Sequence, residues 1–266
     1  MLLTIFGSQK PFTNHFTVTN SEILTAFVDL LAVTLLGAAT VLYTMGGFAG
    51  GSFFLAILLF SGTPVAQASL YVLIMNLFSA SSSLFRWKAH ASRELLWFLV
   101  GSLPAAFLGG LVQLSNGTLK AIIGLLLAVG GVTVIFSTSK IRRAKLKIPV
   151  KVAIGAAIGF VAGLTGIGGG IYLAPVLVFL GVAKPKTIAA TTTVFIFFNS
   201  VSGILARAPR LATLTPSLFL LAAIPVVFIA AQVGSYMGSR RFSQTNVRRT
   251  IGAILVAIGT YFGLGG

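Results

Sequence analysis

The sequence predicts an all-α integral membrane protein made of two inverted five-helix repeats, with about ten helical segments, two of them half-length. Three observations predict this fold: long apolar runs, very few charges, and a pattern of Gly, Pro and Asn that recurs in the second half. Of the 266 residues, 56% are hydrophobic and 8% are charged, which is outside the range of water-soluble domains. We therefore expect a multi-pass protein of the cell membrane.

Eight apolar segments are long enough to cross the hydrocarbon core, which needs roughly 20 helical residues. Their ranges are 23–45, 65–85, 94–114, 118–137, 150–165, 187–206, 212–235 and 247–264. Two shorter segments, 52–61 and 171–181, have about ten residues each, or roughly 15 Å of helix. Both follow a glycine cluster, and we expect them to be half-length helices.

The distribution of Lys and Arg distinguishes two topologies, because cytoplasmic loops are enriched in basic residues. If both short segments count as crossings, the chain makes ten passes with both termini outside, and most basic residues lie in cytoplasmic loops. If the short segments return on the side they entered, the arginines around Arg240 and Arg248 fall on the opposite face. The ten-pass arrangement is therefore our prediction.

An internal repeat links the two halves. The stretch from Gly50 to Gly62 aligns with the stretch from Gly169 to Gly181 at a constant offset. Further matched pairs follow: Asn76 with Asn199, Ser79 with Ser202, Pro104 with Pro225, Gly124 with Gly252, and Gly131 with Gly259. Because each copy has an odd number of crossings, the second inserts upside down, an arrangement typical of transporters.

The repeat sets the predicted domain boundaries. Residues 1–22 form a non-cytoplasmic tail, 23–138 the first transmembrane repeat, 139–149 a polybasic cytoplasmic linker and 150–266 the second repeat. We interpret the basic linker as a topology determinant near anionic lipid rather than a regulatory site.

The composition argues against several classes of function. The chain carries 19 Lys and Arg against 3 acidic residues, for a net charge of +16, but these cations lie in short clusters between apolar runs, so we expect no nucleic-acid partner. There is no cysteine, and neither His15 nor His90 has a second metal ligand nearby. The spans lack the paired acids or Ser/His and Ser/Lys dyads of an intramembrane hydrolase. We therefore predict a protein that is not an enzyme and has no cofactor or metal.

The glycine clusters mark the candidate site. Non-helical backbone at membrane depth must be buried in protein or line a cavity, and the N-terminus of the following half-helix directs free N–H groups and a positive dipole end there. Nearby hydroxyls and amides could donate further hydrogen bonds to an anion. The predicted substrate-binding residues are Gly50, Gly51, Ser52, Ser69, Asn76, Gly168, Gly169, Gly170, Tyr172, Thr191, Thr192 and Asn199.

Each of these residues has a purely structural alternative. Pairs such as Gly155/Gly159 and Gly166/Gly170 have the small-xxx-small spacing of close helix packing. The threonines and asparagines could instead form interhelical hydrogen bonds. Apart from Glu94, the first residue of the segment 94–114, the acidic residue within a predicted span is Asp29. It is near the helix start, where an interfacial position competes with a role in proton coupling.

Several motifs resemble the signature of the TauE/SafE sulfite exporter family. They are the string from Gly159 to Gly170, then Pro175, Gly181, Ala189-Ala190-Thr191-Thr192 and Asn199-Ser200, and later Gln232 to Gly238 followed by Arg240 and Arg241. The resemblance covers almost the whole chain. The first repeat departs from the pattern, since Gly47-Phe48-Ala49-Gly50-Gly51-Ser52 replaces the triple glycine and Ala56 replaces Pro175.

The resemblance implies an inner-membrane permease for sulfite, organosulfonates or related small organic anions. Together with the repeat, it favours a transporter that binds the anion near the midplane between the glycine breaks and moves it by rocking of the halves. Two other functions remain open: a membrane scaffold or assembly protein whose glycines only permit close packing, and an anion channel with the same pore residues. The sequence also leaves a homo-oligomer open.

Overall fold

The computed structural model of the protein describes residues 20–136, 146–212, 218–240 and 244–264, and all regular structure within them is helical. Residues 1–19 of the predicted tail and most of the basic linker lie outside these residues, as does the side chain of Asp29. The helices are α1 (Asn20–Met45), α2 (Gly51–Phe60), α3 (Val65–Trp87), α4 (Trp97–Leu111), α5 (Asn116–Phe136), α6 (Ile148–Thr165), α7 (Gly170–Phe179), α8 (Pro185–Ala206), α9 (Ala208–Ala212), α10 (Leu218–Arg240) and α11 (Gln244–Gly263).

The all-helical fold is confirmed, and each of the ten predicted segments corresponds to one helix. The segment predicted at 94–114 is shorter, because a 3₁₀ turn (Arg93–Leu96) precedes α4 and Val112 has extended backbone. The next helix then starts afresh, with the Thr118 N–H donating to Ser115 Oγ at 3.2 Å. The segment predicted at 212–235 lies further along the chain as α10, after the short helix α9.

Six helices of the described residues are long and apolar enough to cross a bilayer: α3, α4, α5, α6, α8 and α10. Large apolar side chains on several of them face outward, including Phe136 and Leu125 on α5. Buried aromatic residues such as Phe54, Phe98 and Phe195 fill the interior. An exposed apolar surface around a packed core is the pattern expected for a protein surrounded by lipid.

The two half-length helices begin and end in the same way. α2 and α7 each have ten residues and start directly after a left-handed glycine, Gly50 at φ 100° and Gly169 at φ 79°. Each is followed by another glycine with positive φ, Gly62 and Gly181. Residues with a Cβ rarely adopt this conformation, so these glycines set the length of both helices.

The main helix packing joins the two sequence halves. α4 packs along α6, α1 along α10, α5 along α11, and α3 along α8. In the numbering of the repeat, α4 corresponds to α10 and α6 to α1, so the first two interfaces are equivalent. The inverted orientation of the halves stays a prediction.

Glycines bring these helices into backbone contact. On α6, a Cβ at Gly155 would lie 2.0 Å from the Phe98 carbonyl oxygen of α4, and one at Gly163 equally close to that of Ala106. On α10, a Cβ at Gly234 would lie 2.2 Å from the Val41 oxygen of α1. These glycines therefore have the packing role that small-xxx-small spacing indicates.

Candidate functional site

The starts of both half-length helices carry unpaired backbone donors. The first N–H groups of a helix have no acceptor within it, and neither Gly50 nor Gly169 provides a side chain to cap them. Both helix starts are buried: Gly51 and Ser52 at α2, and Gly170 and Ile171 at α7. Their positive dipole ends favour negative charge.

Asn76 of α3 brings the two glycine breaks together. Its Nδ2 donates to the Ile167 carbonyl oxygen at 2.8 Å, within the break between α6 and α7. The start of α2 lies against this same hydrogen bond, because a Cβ at Gly51 would be 2.5 Å from Asn76 Nδ2 and 2.7 Å from the Ile167 oxygen. One buried amide therefore contacts both breaks, although they are far apart in the sequence.

Two polar atoms at this junction have no partner. The bond to the Ile167 oxygen fixes which end of the Asn76 amide is nitrogen, and the other end, Oδ1, is buried without a hydrogen bond. Ser200 Oγ of α8 is likewise buried and unpaired. A Cβ at Gly168 would lie 3.0 Å from Asn76 Nδ2 and 3.2 Å from Ser200 Oγ, so both side chains border the same glycine. Buried polar atoms normally have partners, which makes this junction the strongest candidate for ligand contact.

The predicted hydroxyl residues of α3 and α8 lie beside the break but bond to their own helices. Ser69 Oγ donates to the Ala66 oxygen, Thr191 Oγ1 to that of Thr187, and Thr192 Oγ1 to that of Ile188. Their carbon atoms form the contact instead: a Cβ at Gly166 would lie 2.5 Å from Ser69 Cβ, and one at Gly170 would lie 2.7 Å from Thr192 Cγ2. Ser69 and Thr192 therefore shape the walls of the break, whereas Thr191 is not among the closest neighbours of these glycines.

Ser52 and Tyr172, which follow the two breaks, are paired with neighbouring helices. Ser52 Oγ donates to Tyr43 Oη of α1 at 3.2 Å. Tyr172 Oη donates to Thr165 Oγ1 of α6 at 3.4 Å. Each half-helix start is thus tied by a hydroxyl pair to the helix that precedes it.

Asn199 is the repeat counterpart of Asn76, yet its contacts differ. Its Nδ2 donates to the Phe195 oxygen in its own helix, and its Oδ1 accepts from Ser102 Oγ of α4. The structure therefore joins α8 to α4 through Asn199, while Asn76 spans the two breaks. The remaining predicted residue, Gly169, packs its break against Ala162 and Phe195.

Sequence reasoning missed Ser200 as a candidate. The only signal was its position next to Asn199 in the family-like Asn199-Ser200 pair. Because a serine within a helix commonly bonds to its own backbone, nothing in the sequence distinguishes Ser200 from the other serines. For metals, no group of 3 or more His, Cys, Asp or Glu side chains that could hold an ion occurs within the described residues.

Comparisons with known proteins agree on the class of protein. The family model described as sulfite exporter TauE/SafE matches residues 30–262. The chain is 30% identical over 228 residues to the probable membrane transporter protein y4hK of Sinorhizobium fredii, covering 82% of this chain and 91% of that protein. It is 28% identical over 110 residues to the probable membrane transporter protein YunE of Bacillus subtilis, covering 41% of this chain and 39% of that protein. No solved structure matches significantly.

Proposed function

We propose that this chain, which belongs to the sulfite exporter TauE/SafE family, carries small anions across the membrane. The candidate substrates are sulfite, organosulfonates and related sulfur or organic oxyanions. Membrane transport is the function of the proteins it resembles, by their names. The anion and its binding site are our proposal.

The observation that carries the proposal is the contact of Asn76 with both glycine breaks. At this junction the starts of α2 and α7 supply N–H groups and two positive dipole ends, which suit an anion. Ser200 Oγ is a further unpaired donor. The site therefore attracts negative charge with backbone and hydroxyl groups, without a charged side chain at the junction.

The two halves act as inverted copies related by a pseudo-two-fold axis in the membrane plane. Helix packing supports this relation. Gly124 of α5 meets Gly259 of α11, and Gly131 meets Gly252, so the first glycine of one helix contacts the second glycine of its counterpart. Two equivalent helices that cross antiparallel in this way are expected next to a two-fold axis, and the proposed site lies between the halves.

The test is uptake of radiolabelled sulfite, sulfate and a small sulfonate into proteoliposomes. The variants Asn76→Leu and Ser200→Ala each remove a polar group from the junction, and we expect them to lower saturable flux by at least tenfold, about 1.4 kcal/mol of binding. Ser235→Ala is the matched control, because Ser235 is a buried serine of α10 whose Oγ donates to its own helix at Ala231. Its flux should equal that of the wild type.

Three outcomes would contradict the proposal. Flux that does not saturate and shows no counterflow would indicate an anion channel instead. No flux of any tested anion by folded protein would favour the scaffold function. If Ser200→Ala and Ser235→Ala have equal flux and Asn76→Leu also transports the anion, the binding site is not at this junction.

A further inference from the structure

Arg207, directly after α8, is a buried cation without a carboxylate partner in the described part of the chain. Its side chain is only 4% exposed. The described side chains include one carboxylate, Glu94. It pairs with Lys151 instead, with 3.7 Å between Glu94 Oε2 and Lys151 Nζ. A buried charge without a counter-charge is costly, and ionisable residues within a membrane protein commonly mark the path of an ion.

The guanidinium is held by the ends of two helices. Nη1 donates to the Gly203 oxygen of α8 at 3.1 Å, and Nη2 to the Gly163 oxygen of α6 at 2.7 Å. Gly110 of α4 completes the surroundings, since a Cβ there would lie 2.9 Å from Nη1. Glycines of three helices therefore leave room for one guanidinium, while its Nε has no hydrogen-bond partner.

This cation lies close to the proposed junction. Gly203 is about one helical turn beyond Ser200 on α8, and Gly163 comes just before the break that starts at Gly166. Arginine keeps its proton in proteins, so the guanidinium is charged at neutral pH. It is thus a fixed positive charge between the ends of α8 and α6, close to the proposed site.

The structure assigns Arg207 the role of an anion-binding residue at the C-terminal end of α8, which would be one mouth of the transport pathway. A small oxyanion would occupy this position before it reaches the Asn76–Ser200 junction. This inference rests on the proposed transport of anions. A helix-capping role alone would need only a neutral donor for the two carbonyl groups. The buried charge and the unpaired Nε match an oxyanion, which Arg recognises through charge-assisted hydrogen bonds.

Arg248 provides a matched control. It is 6% exposed, donates one hydrogen bond to the Pro185 oxygen at 3.0 Å, and also has an unpaired Nε. Since Pro185 begins α8 and Arg207 follows its end, the two arginines lie at opposite ends of the same helix. Arg248→Gln thus removes an equally buried guanidinium far from the proposed mouth.

The first measurement is the melting temperature of purified protein with sulfite, sulfate or methanesulfonate, against chloride at the same ionic strength. We expect at least one of these anions to raise the melting temperature of the wild type and of Arg248→Gln, since a ligand that binds the folded state stabilises it. In Arg207→Gln that increase should be smaller at the same anion concentration, because only the junction still binds the anion. An equal increase in Arg207→Gln and wild type, or none in the wild type, would overturn the assignment.

The second measurement is the KM for anion uptake. Loss of one charge-assisted contact should raise the KM of Arg207→Gln on the order of tenfold, with the maximal rate within about twofold of wild type. Saturable wild-type flux with an unchanged KM in Arg207→Gln would refute the role of Arg207 and leave the transport function standing. Anion stabilisation that depends on Arg207 but occurs without flux would support anion binding by Arg207 and refute the transport function.

Arg207→Lys separates charge from capping, and it decides the matter if Arg207→Gln does not fold. Lysine keeps the positive charge but lacks the planar fork that reaches two carbonyl groups. An anion-binding role predicts a KM within about threefold of wild type and the same anion-dependent stabilisation. If Arg207→Lys folds but has a much higher KM and no anion-dependent stabilisation, Arg207 acts as a helix cap and the inference is overturned.

Discussion

Single atoms at the glycine positions decide whether the junction can form. At Gly51, a methyl group would lie 2.5 Å from Asn76 Nδ2 and 2.8 Å from Asn76 Oδ1. Both distances are shorter than any real Cβ contact, so the amide of Asn76 would have to move away from the Ile167 oxygen. The absence of a side chain at Gly51 is therefore required for the contact of Asn76 with Ile167, on which the proposed site depends.

Gly51→Ala should abolish most of the anion flux. The displaced amide loses its bond to the Ile167 oxygen, which is worth about 1 kcal/mol, and overpacking adds about 1–3 kcal/mol of destabilisation. Gly117→Ala is the control, because a Cβ there meets nothing within 4 Å and alanine favours the helix. Uptake and thermal melting of both variants test this, and wild-type flux in Gly51→Ala would show that the amide is not part of the site.

Among the elements, α4 and α6 approach each other closely along their backbones. Three glycines of α6 and two of α4, Gly101 and Gly109, face the backbone of the other helix. At such short distances dispersion forces act over the full length of both helices. In lipid, where no hydrophobic force drives helices together, this packing is the main source of their association.

Gly163→Ala should therefore destabilise the protein. Its Cβ would lie 2.0 Å from the Ala106 backbone oxygen, whereas a Cβ at Gly263 meets nothing within 4 Å. We expect Gly163→Ala to lower the free energy of unfolding by roughly 1–3 kcal/mol, and therefore to lower the melting temperature. Gly263→Ala should leave the melting temperature unchanged. Equal melting temperatures of the two variants would mean that the helices separate at no cost.

The elements were more predictable than their partners. Glycine clusters and apolar runs are local signals, so the half-length helices and their flanking glycines Gly62 and Gly181 could be read from the sequence. The contact of Asn76 with Ile167 could not, because it depends on how α3 lies against a break formed 91 residues later. The repeat suggested equal roles for Asn76 and Asn199. In the structure, however, Ser102 of α4 donates a hydrogen bond to Asn199 Oδ1, whereas Asn76 donates to the Ile167 oxygen.

At the scale of the whole molecule, the packed units are not the two sequence halves. α1 of the first half packs on α10 of the second, and α4 of the first on α6 of the second. Because glycines line both of these interfaces, each pair is expected to move as one body during transport. The rocking motion would then take place between the α1–α10 pair and the α4–α6 pair, around the junction at Asn76.

A disulfide between Gly37→Cys and Val226→Cys tests this motion. A Cβ at Gly37 would lie 3.0 Å from Val226 Cγ1, which brings the two positions within disulfide range, and the chain has no other cysteine. Since the bond joins α1 to α10 within one body, oxidised protein should keep its flux. Inhibition by oxidation that a reductant reverses would show that α1 and α10 slide past each other.

The interlocked glycine faces also constrain how the protein is made. When the ribosome has released α1 and α4, the helices that cover them, α10 and α6, have not yet been synthesised. The glycine faces of α1 and α4 therefore meet lipid or each other first, and the first half must remain loosely assembled until its partners insert. In a chain arrested before α10, α1 would lack the helix that it packs against. Biogenesis therefore depends on the last helices as much as on the first.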